Sequence, residues 1–175
     1  MTIVFVDESG FYLLPAPVVT YAPCGQTPVV RWFYTRDPMS VMSGITMAGR
    51  LYTRVREAAF TSADAVAFLR HLLRQIGGRL MVIWDGAPIH HGEVRTFLTQ
   101  GGAGQVHLEP LPPYAPDLNP DEGVWHLLKD VEMRNLCCSD LTHLRQELHL
   151  AIMRLRAKPR LIQACFAGAG LPIET

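Results

Sequence analysis

The sequence is poor in lysine, has no paired cysteines, contains no long apolar run and carries no net charge, and each shortage excludes something. Only Lys129 and Lys158 are lysines among 16 basic residues, so positive charge is carried by arginine, whose planar fork suits bidentate contacts to phosphate. The four cysteines, Cys24, Cys137, Cys138 and Cys165, include no C-x-x-C pair, and two are sequence neighbours. That pattern fits neither a zinc site nor a disulfide framework and reads as reduced thiols. The apolar stretch Ile3–Val6 is too short for a signal peptide, and no later segment approaches the length of a membrane span. The expectation is a soluble intracellular protein with no membrane partner. Internal repeats and low-complexity tracts are also lacking.

Zero net charge argues against an evenly basic nucleic-acid binder, because phosphate neutralisation leaves a basic footprint. The charge is unevenly distributed, however. Residues 31–56 hold Arg31, Arg36, Arg50, Arg54 and Arg56 against Asp37, and residues 134–160 hold six bases against Asp140 and Glu147. Each stretch is therefore +4 and the remainder is acidic by eight, a sign that bound divalent cations would locally reverse.

What is present is enough for one folded unit. Of 175 residues, 49% are apolar and 18% charged, so the chain can bury a core without staples, and residues 1–175 read as a single domain. Thr2–Asp7 is continuously apolar and β-branched before the turn-forming Glu8-Ser9-Gly10, which predicts a buried strand ending there. Residues 11–38 are rich in Pro and Gly and read as an extended excursion. Residues 40–47 and 50–57 flank Ala48-Gly49 as the arms of an antiparallel hairpin.

Ser62 is placed to cap a helix whose Val66, Leu69, Leu72, Leu73 and Ile76 follow the 3.6 period, with Gly77 as stop. Leu80–Trp84 is a second apolar strand ending in an acid, Asp85, followed by a short helix carrying Val94, Phe97 and Leu98 and a short strand over Val106–Leu108. A proline-rich loop leads to Asn119-Pro120, the start of a helix with Val124, Leu127, Leu128 and Val131 as its buried stripe. A longer helix runs from Ser139 to Pro159 on the repeat Leu141, Leu144, Leu148, Ile152 and Leu155. Antiparallel strands followed by strand–helix units imply a mixed α/β sheet with helices on both faces.

The chemistry lies in the acids that end the two apolar strands. Ligands gather at the carboxyl ends of parallel strands in open α/β sheets, and neighbouring strands lie about 5 Å apart. Asp7 and Asp85 would then present two carboxylates to one point, where a bound cation relieves their repulsion. Oxygen ligands without a Cys or His cluster favour Mg²⁺ or Mn²⁺. Glu122, at the start of the helix after Asn119-Pro120, can supply a third acid. The same spacing, Asn119 with an acid three residues on, is also that of a capping box, so a purely structural use stands beside the chemical one.

Four segments, Phe5-Val-Asp-Glu-Ser-Gly-Phe11, Tyr21-Ala-Pro-Cys-Gly-Gln-Thr-Pro28, Trp84-Asp-Gly-Ala-Pro-Ile-His90 and Pro113-Tyr-Ala-Pro-Asp-Leu-Asn-Pro-Asp-Glu122, resemble DDE transposases of the mariner branch, above all its bacterial insertion-sequence members. They occur in the family order, and 36 residues separate Asp85 from Glu122, as in that branch. The resemblance implies a ribonuclease H-like fold with sheet order 3-2-1-4-5 and a triad of Asp7, Asp85 and Glu122 holding two Mg²⁺ or Mn²⁺ ions. It implies DNA strand cleavage and strand transfer on double-stranded transposon ends and target, with a homodimer in the synaptic complex and a nucleoid-associated place in a bacterial cytoplasm. His90 and Asn119 become accessory candidates, and Arg31, Arg54 and Arg56 candidate phosphate contacts.

Gly86 and Tyr21 depart from the residues common in relatives, Asn and Trp. The family's helix-turn-helix DNA-recognition segment would precede strand one; its absence from these residues implies an isolated domain or the second of two joined reading frames. Two rivals remain: a hydrolytic nuclease with the same metal chemistry and no strand transfer, and a catalytically silent remnant that binds DNA.

Overall fold

The computed structural model of the chain describes residues 1–13, 21–26, 39–85, 92–113 and 115–171. Most of the expected excursion over 11–38, with Arg31, and also His90, lies outside them. Five strands form one sheet: β1 (Thr2–Phe11), β2 (Met39–Thr46), β3 (Leu51–Arg56), β4 (Leu80–Trp84) and β5 (Val106–Pro110), in the order β3-β2-β1-β4-β5. β2 runs antiparallel to β1 and β3, while β4 runs parallel to β1 and β5. The order and mixture are those expected.

Strand composition follows position. Val4, Phe5 and Val6 of β1 are all buried, because the central strand is covered on both faces and has no wet side to alternate with. Edge strand β3 has Leu51 buried and Val55 exposed. Gly49, at φ +76°, closes the β2–β3 hairpin against the backbone of Pro159, where a Cβ would meet the carbonyl oxygen at 2.4 Å.

Helices cover both faces. On one, α1 (Ser62–Ile76) and α2 (Glu93–Thr99) pack against Val4, Val6, Met42 and Val82. On the other, α3 (Asp121–His126), α4 (Leu141–Arg156) and α5 (Pro159–Gly168) pack against Phe5, Phe11, Val41 and Ile45. The N-cap of α1 is Thr61, one residue before the expected Ser62. Its hydroxyl accepts from the amide of Asp64 at 3.3 Å, and the Asp64 carboxylate accepts from the amide of Thr61 at 3.0 Å, which makes a reciprocal capping box.

Three expectations need correction. β1 does not stop at Glu8-Ser9-Gly10 but continues to Phe11, because β2 pairs with it along that whole length, Phe11 opposite Met39. Tertiary pairing overrides turn propensity there. The helix after Asn119-Pro120 is not uniform: α3 passes into a π-helical segment, Leu127–Glu132, with the amide of Met133 donating to the carbonyl of Leu128. The wider turn rotates the stripe, so Val124 and Leu128 are buried as expected, but Val131 is 54% exposed and Met133 is buried in its place. Finally, Pro159 ends one helix and also opens α5 as its first residue, an element the 3.6 period of Ile162 and Phe166 marks and the sequence reading passed over.

Candidate active site

The register of the sheet determines where the two aspartates emerge. β1 and β4 pair in parallel up to Val6 opposite Trp84, and Asp7 and Asp85 follow one residue later on neighbouring strands. On its other side Asp7 stands opposite Ser43 of β2. The Asp7 side chain faces α3, where the indole Nε1 of Trp125 donates to its Oδ2 at 2.8 Å. Trp125 is thus core, as its spacing suggests, and also orients Asp7.

The Asp7 carboxyl is pushed up from 3.8 to about 6. Burial is the largest cause; the Trp125 hydrogen bond and the Glu8 amide oppose it, and the charges of Glu122 and Asp85 add to it. Asp7 is therefore within electrostatic reach of both Asp85 and Glu122. Trp125→Phe keeps the ring in the core and removes the donor. It should raise the Asp7 pKa further and weaken divalent-ion binding about tenfold at pH 7, the usual cost of losing a partner that orients a ligand. A Mn²⁺ titration of the variant checks this.

Glu122 is exposed on the first turn of α3. The capping-box alternative is not formed. The amide of Asn119 donates to the carbonyl of Pro116 at 2.8 Å, and its side-chain oxygen accepts from the amide of Asp121 at 3.2 Å. Asn119 is thus a buried brace of the helix start, and Glu122 is left facing a cleft of about 780 Å³ shared with Asp117, His126 and residues of α5. Gly123 allows α5 to approach, since a Cβ there would meet the Cys165 sulfur at 2.8 Å.

Two residues were missed. Asp121, between Pro120 and Glu122, is fully buried; Ser43 Oγ donates to its Oδ1, and its Oδ2 has no hydrogen-bond partner among the described residues. Burial holds its carboxyl well above the usual range, the Ser43 bond opposes that, and the charges of Asp7 and Glu122 add to it. The only signal was an ionisable residue in the variable place of the Pro-x-Glu element. Lys129, in the π-helical segment, donates to Ser9 Oγ at 2.6 Å and lies 5.2 Å over the Phe11 ring. Burial lowers its pKa while Glu122, Asp130 and Asp7 hold it up, which places a cation beside the acids.

Arg54 and Arg56 stand on the sheet face opposite Asp7 and both pair with Asp64, Arg54 at 3.3 Å. Their evident use is to clasp the start of α1 to β3.

The donors are oxygens, and negative charge is concentrated where two carboxyls are already driven toward their neutral forms. That composition fits a hard divalent cation. Among the described residues no three His, Cys, Asp or Glu side chains form a closed ligand group as they stand. Nor is any described helix long and apolar enough to cross a membrane.

A five-stranded sheet ordered 3-2-1-4-5, with acids at the carboxyl ends of its two central parallel strands, defines a ribonuclease H-like domain. The chain belongs to the DDE superfamily endonuclease family, whose model matches residues 2–145. Its fold is similar to the mariner Mos1 transposase in a paired-end complex with Mg (TM-score 0.64, 20% identity, covering 99% of this chain and 57% of that one). It is also similar to the Mos1 strand transfer complex (TM-score 0.60, 20% identity, 99% and 56%). The isolated Mos1 catalytic domain matches with a TM-score of 0.59 at 17% identity, over 99% and 84%. The chain thus spans a little over half the length of the full Mos1 chains. No curated protein sequence matches it.

Proposed function

We propose that this chain is the catalytic domain of a DNA transposase, cutting and joining DNA strands with Asp7, Asp85 and Glu122 holding two Mg²⁺ or Mn²⁺ ions. The observation that carries the reading is the emergence of Asp7 and Asp85 side by side at the carboxyl ends of adjacent parallel strands, with Glu122 on the first turn of the helix whose Trp125 holds Asp7. Family membership and the Mos1 likeness, which includes complexes with Mg and with Mn, support it. When bound, such ions activate a water or a DNA 3′ hydroxyl for in-line attack and stabilise the leaving oxygen.

The protein's own groups position and balance charge. Trp125 fixes the face that Asp7 presents. The buried Ser43–Asp121 bond holds the first turn of α3 against β2, directly beside Asp7, and so sets where Glu122 stands. Lys129 supplies a cation next to the acids, suited to a phosphate oxygen of the strand being cut. His90 and Asn119 are accessory positions, Asn119 as the brace of α3. The substrate is double-stranded DNA, transposon ends and target. A homodimer pairs two ends, and a separate or fused helix-turn-helix segment recognises them. The protein works in the bacterial cytoplasm at the nucleoid.

The rival with the same chemistry is a purely hydrolytic nuclease. Supplied with a pre-cleaved transposon end, a target plasmid and Mg²⁺, the protein should give covalently joined strand-transfer products. Hydrolysis of the same DNA with no joined product would assign it to the rival.

A further inference from the structure

We propose that the groove between β3 and α1, rimmed by Arg54, Arg70, His71 and Arg74, docks the sugar–phosphate backbone of duplex DNA outside the cleavage centre. The proposal rests on reading the carboxylate centre as a DNA-processing site and names a second surface for that substrate.

The groove has a volume of about 470 Å³, and among the described residues no acid lines it. Arg70 and Arg74 stand one turn apart on α1, both exposed, with His71 between them. Like charges at that spacing cost an isolated helix a few tenths of a kcal/mol, so the arrangement works against the helix that carries it. Arg70 lies over the Phe97 ring at 5.5 Å, which holds the guanidinium without neutralising it. Arg74 makes no hydrogen bond or ion pair among the described residues. Arg54 shares Asp64 with Arg56 and the Thr61 cap, so one carboxylate serves two guanidiniums.

Positive charge converges on His71: burial lowers its pKa most, followed by Arg74, Arg156 and Arg54. In a chain with no net charge, a cluster compensated, among the described residues, only by the shared Asp64 is a local excess and not a general basicity. Its chemistry, the forks of Arg70 and Arg74, unpaired among the described residues, beside an Arg54 that shares its one acid, Asp64, with Arg56, matches a row of phosphates.

Placement agrees. Asp7, Ser43 and Thr53 lie on one rung across β1, β2 and β3, and Arg54 follows Thr53 on the next. The groove mouth is therefore two strand spacings, roughly 10 Å, from the carboxylates along the sheet. It opens on the α1 face, whereas Asp7 faces α3. The two surfaces are on opposite faces of the sheet, so the groove holds duplex away from the strand at the carboxylates, and neither needs the other to make its contacts.

The test is the salt dependence of duplex binding, read by fluorescence anisotropy in EDTA so that no cleavage occurs. Each phosphate contact contributes about 0.9 to the slope of log K against log salt concentration. The pair Arg70→Ser with Arg74→Ser should lower that slope by about 1.8, with thermal unfolding unchanged. A control pair removing the same charge elsewhere, Arg79→Ser with Arg160→Ser, should leave it near wild type. An unchanged slope in the groove variant, or an equal fall in the control, overturns the proposal. Metal-dependent nicking by wild type and Asp85→Asn is measured in parallel: loss in Asp85→Asn with an unchanged groove slope defeats the groove alone, whereas equal nicking by both defeats the catalytic reading.

Discussion

Asp85→Asn should lose metal-dependent nicking of a supercoiled plasmid by at least about 10³-fold while keeping its fold. Removing one preorganised group that stabilises developing charge costs about 10²–10³-fold, and Asp85 is also asked to hold the ions. Asparagine keeps the shape of the side chain, and Asp85 is exposed one residue past the last paired rung of β4, so circular dichroism and unfolding should match wild type. Equal nicking by the two proteins would remove Asp85 from the chemistry.

The second large effect is on stability. The folded pKa of Asp7 lies above its ordinary value, so its contribution is fully present below about pH 4 and is lost as pH rises toward 6 and beyond. A displacement of about two units corresponds to about 3 kcal/mol lost between pH 4 and pH 7 in ion-free protein. Asp7→Asn cannot ionise and should be more stable than wild type by about 2–3 kcal/mol at pH 7, with the difference vanishing near pH 4. Divalent ions at about a hundredfold excess over their Kd should return about 2.7 kcal/mol to wild type and nothing to the variant. Urea unfolding of both proteins at pH 4 and pH 7, with and without Mn²⁺, measures these differences. Parallel unfolding of the two proteins across that range would show that Asp7 is not desolvated. A side chain whose charge weakens the fold is the expected mark of a site shaped for something other than stability.

Much of this was legible in the sequence because it rests on short-range pattern. Thr2–Asp7 and Leu80–Trp84 are unbroken apolar runs, and only strands buried on both faces need such runs; the acid ending each one then falls at the carboxyl end of the sheet. The sheet order itself came from the family resemblance, since periodicity is silent about which strands adjoin. What stayed hidden depends on contacts between distant parts of the chain. Glu8-Ser9-Gly10 has turn composition and becomes strand only because β2 pairs with it. The π-helical segment after His126 has no compositional mark, so Val131 was misplaced into the core.

At the candidate site, the sequence pattern singles out the two aspartates and Glu122 but gives no sign of the buried residues that support them. Asp121 looked like one more polar residue in a first turn, and its burial follows from Ser43, 78 positions away. Lys129 meets Ser9 across a separation of 120. Arg54 and Arg56 stand out in the sequence for their charge, but their shared partner Asp64 does not, because it is fixed by a capping box on Thr61, one residue before the expected cap Ser62.

If three carboxylates act as one cation site, Glu122, exposed on α3, must contribute alongside the two strand-end aspartates. Calorimetric titration of Mn²⁺ into wild type, Asp7→Asn and Glu122→Gln at pH 7.5 addresses it directly. Saturable binding by wild type, lost in Asp7→Asn and weakened at least about tenfold in Glu122→Gln, is the predicted result. Wild-type affinity in Glu122→Gln would contradict it.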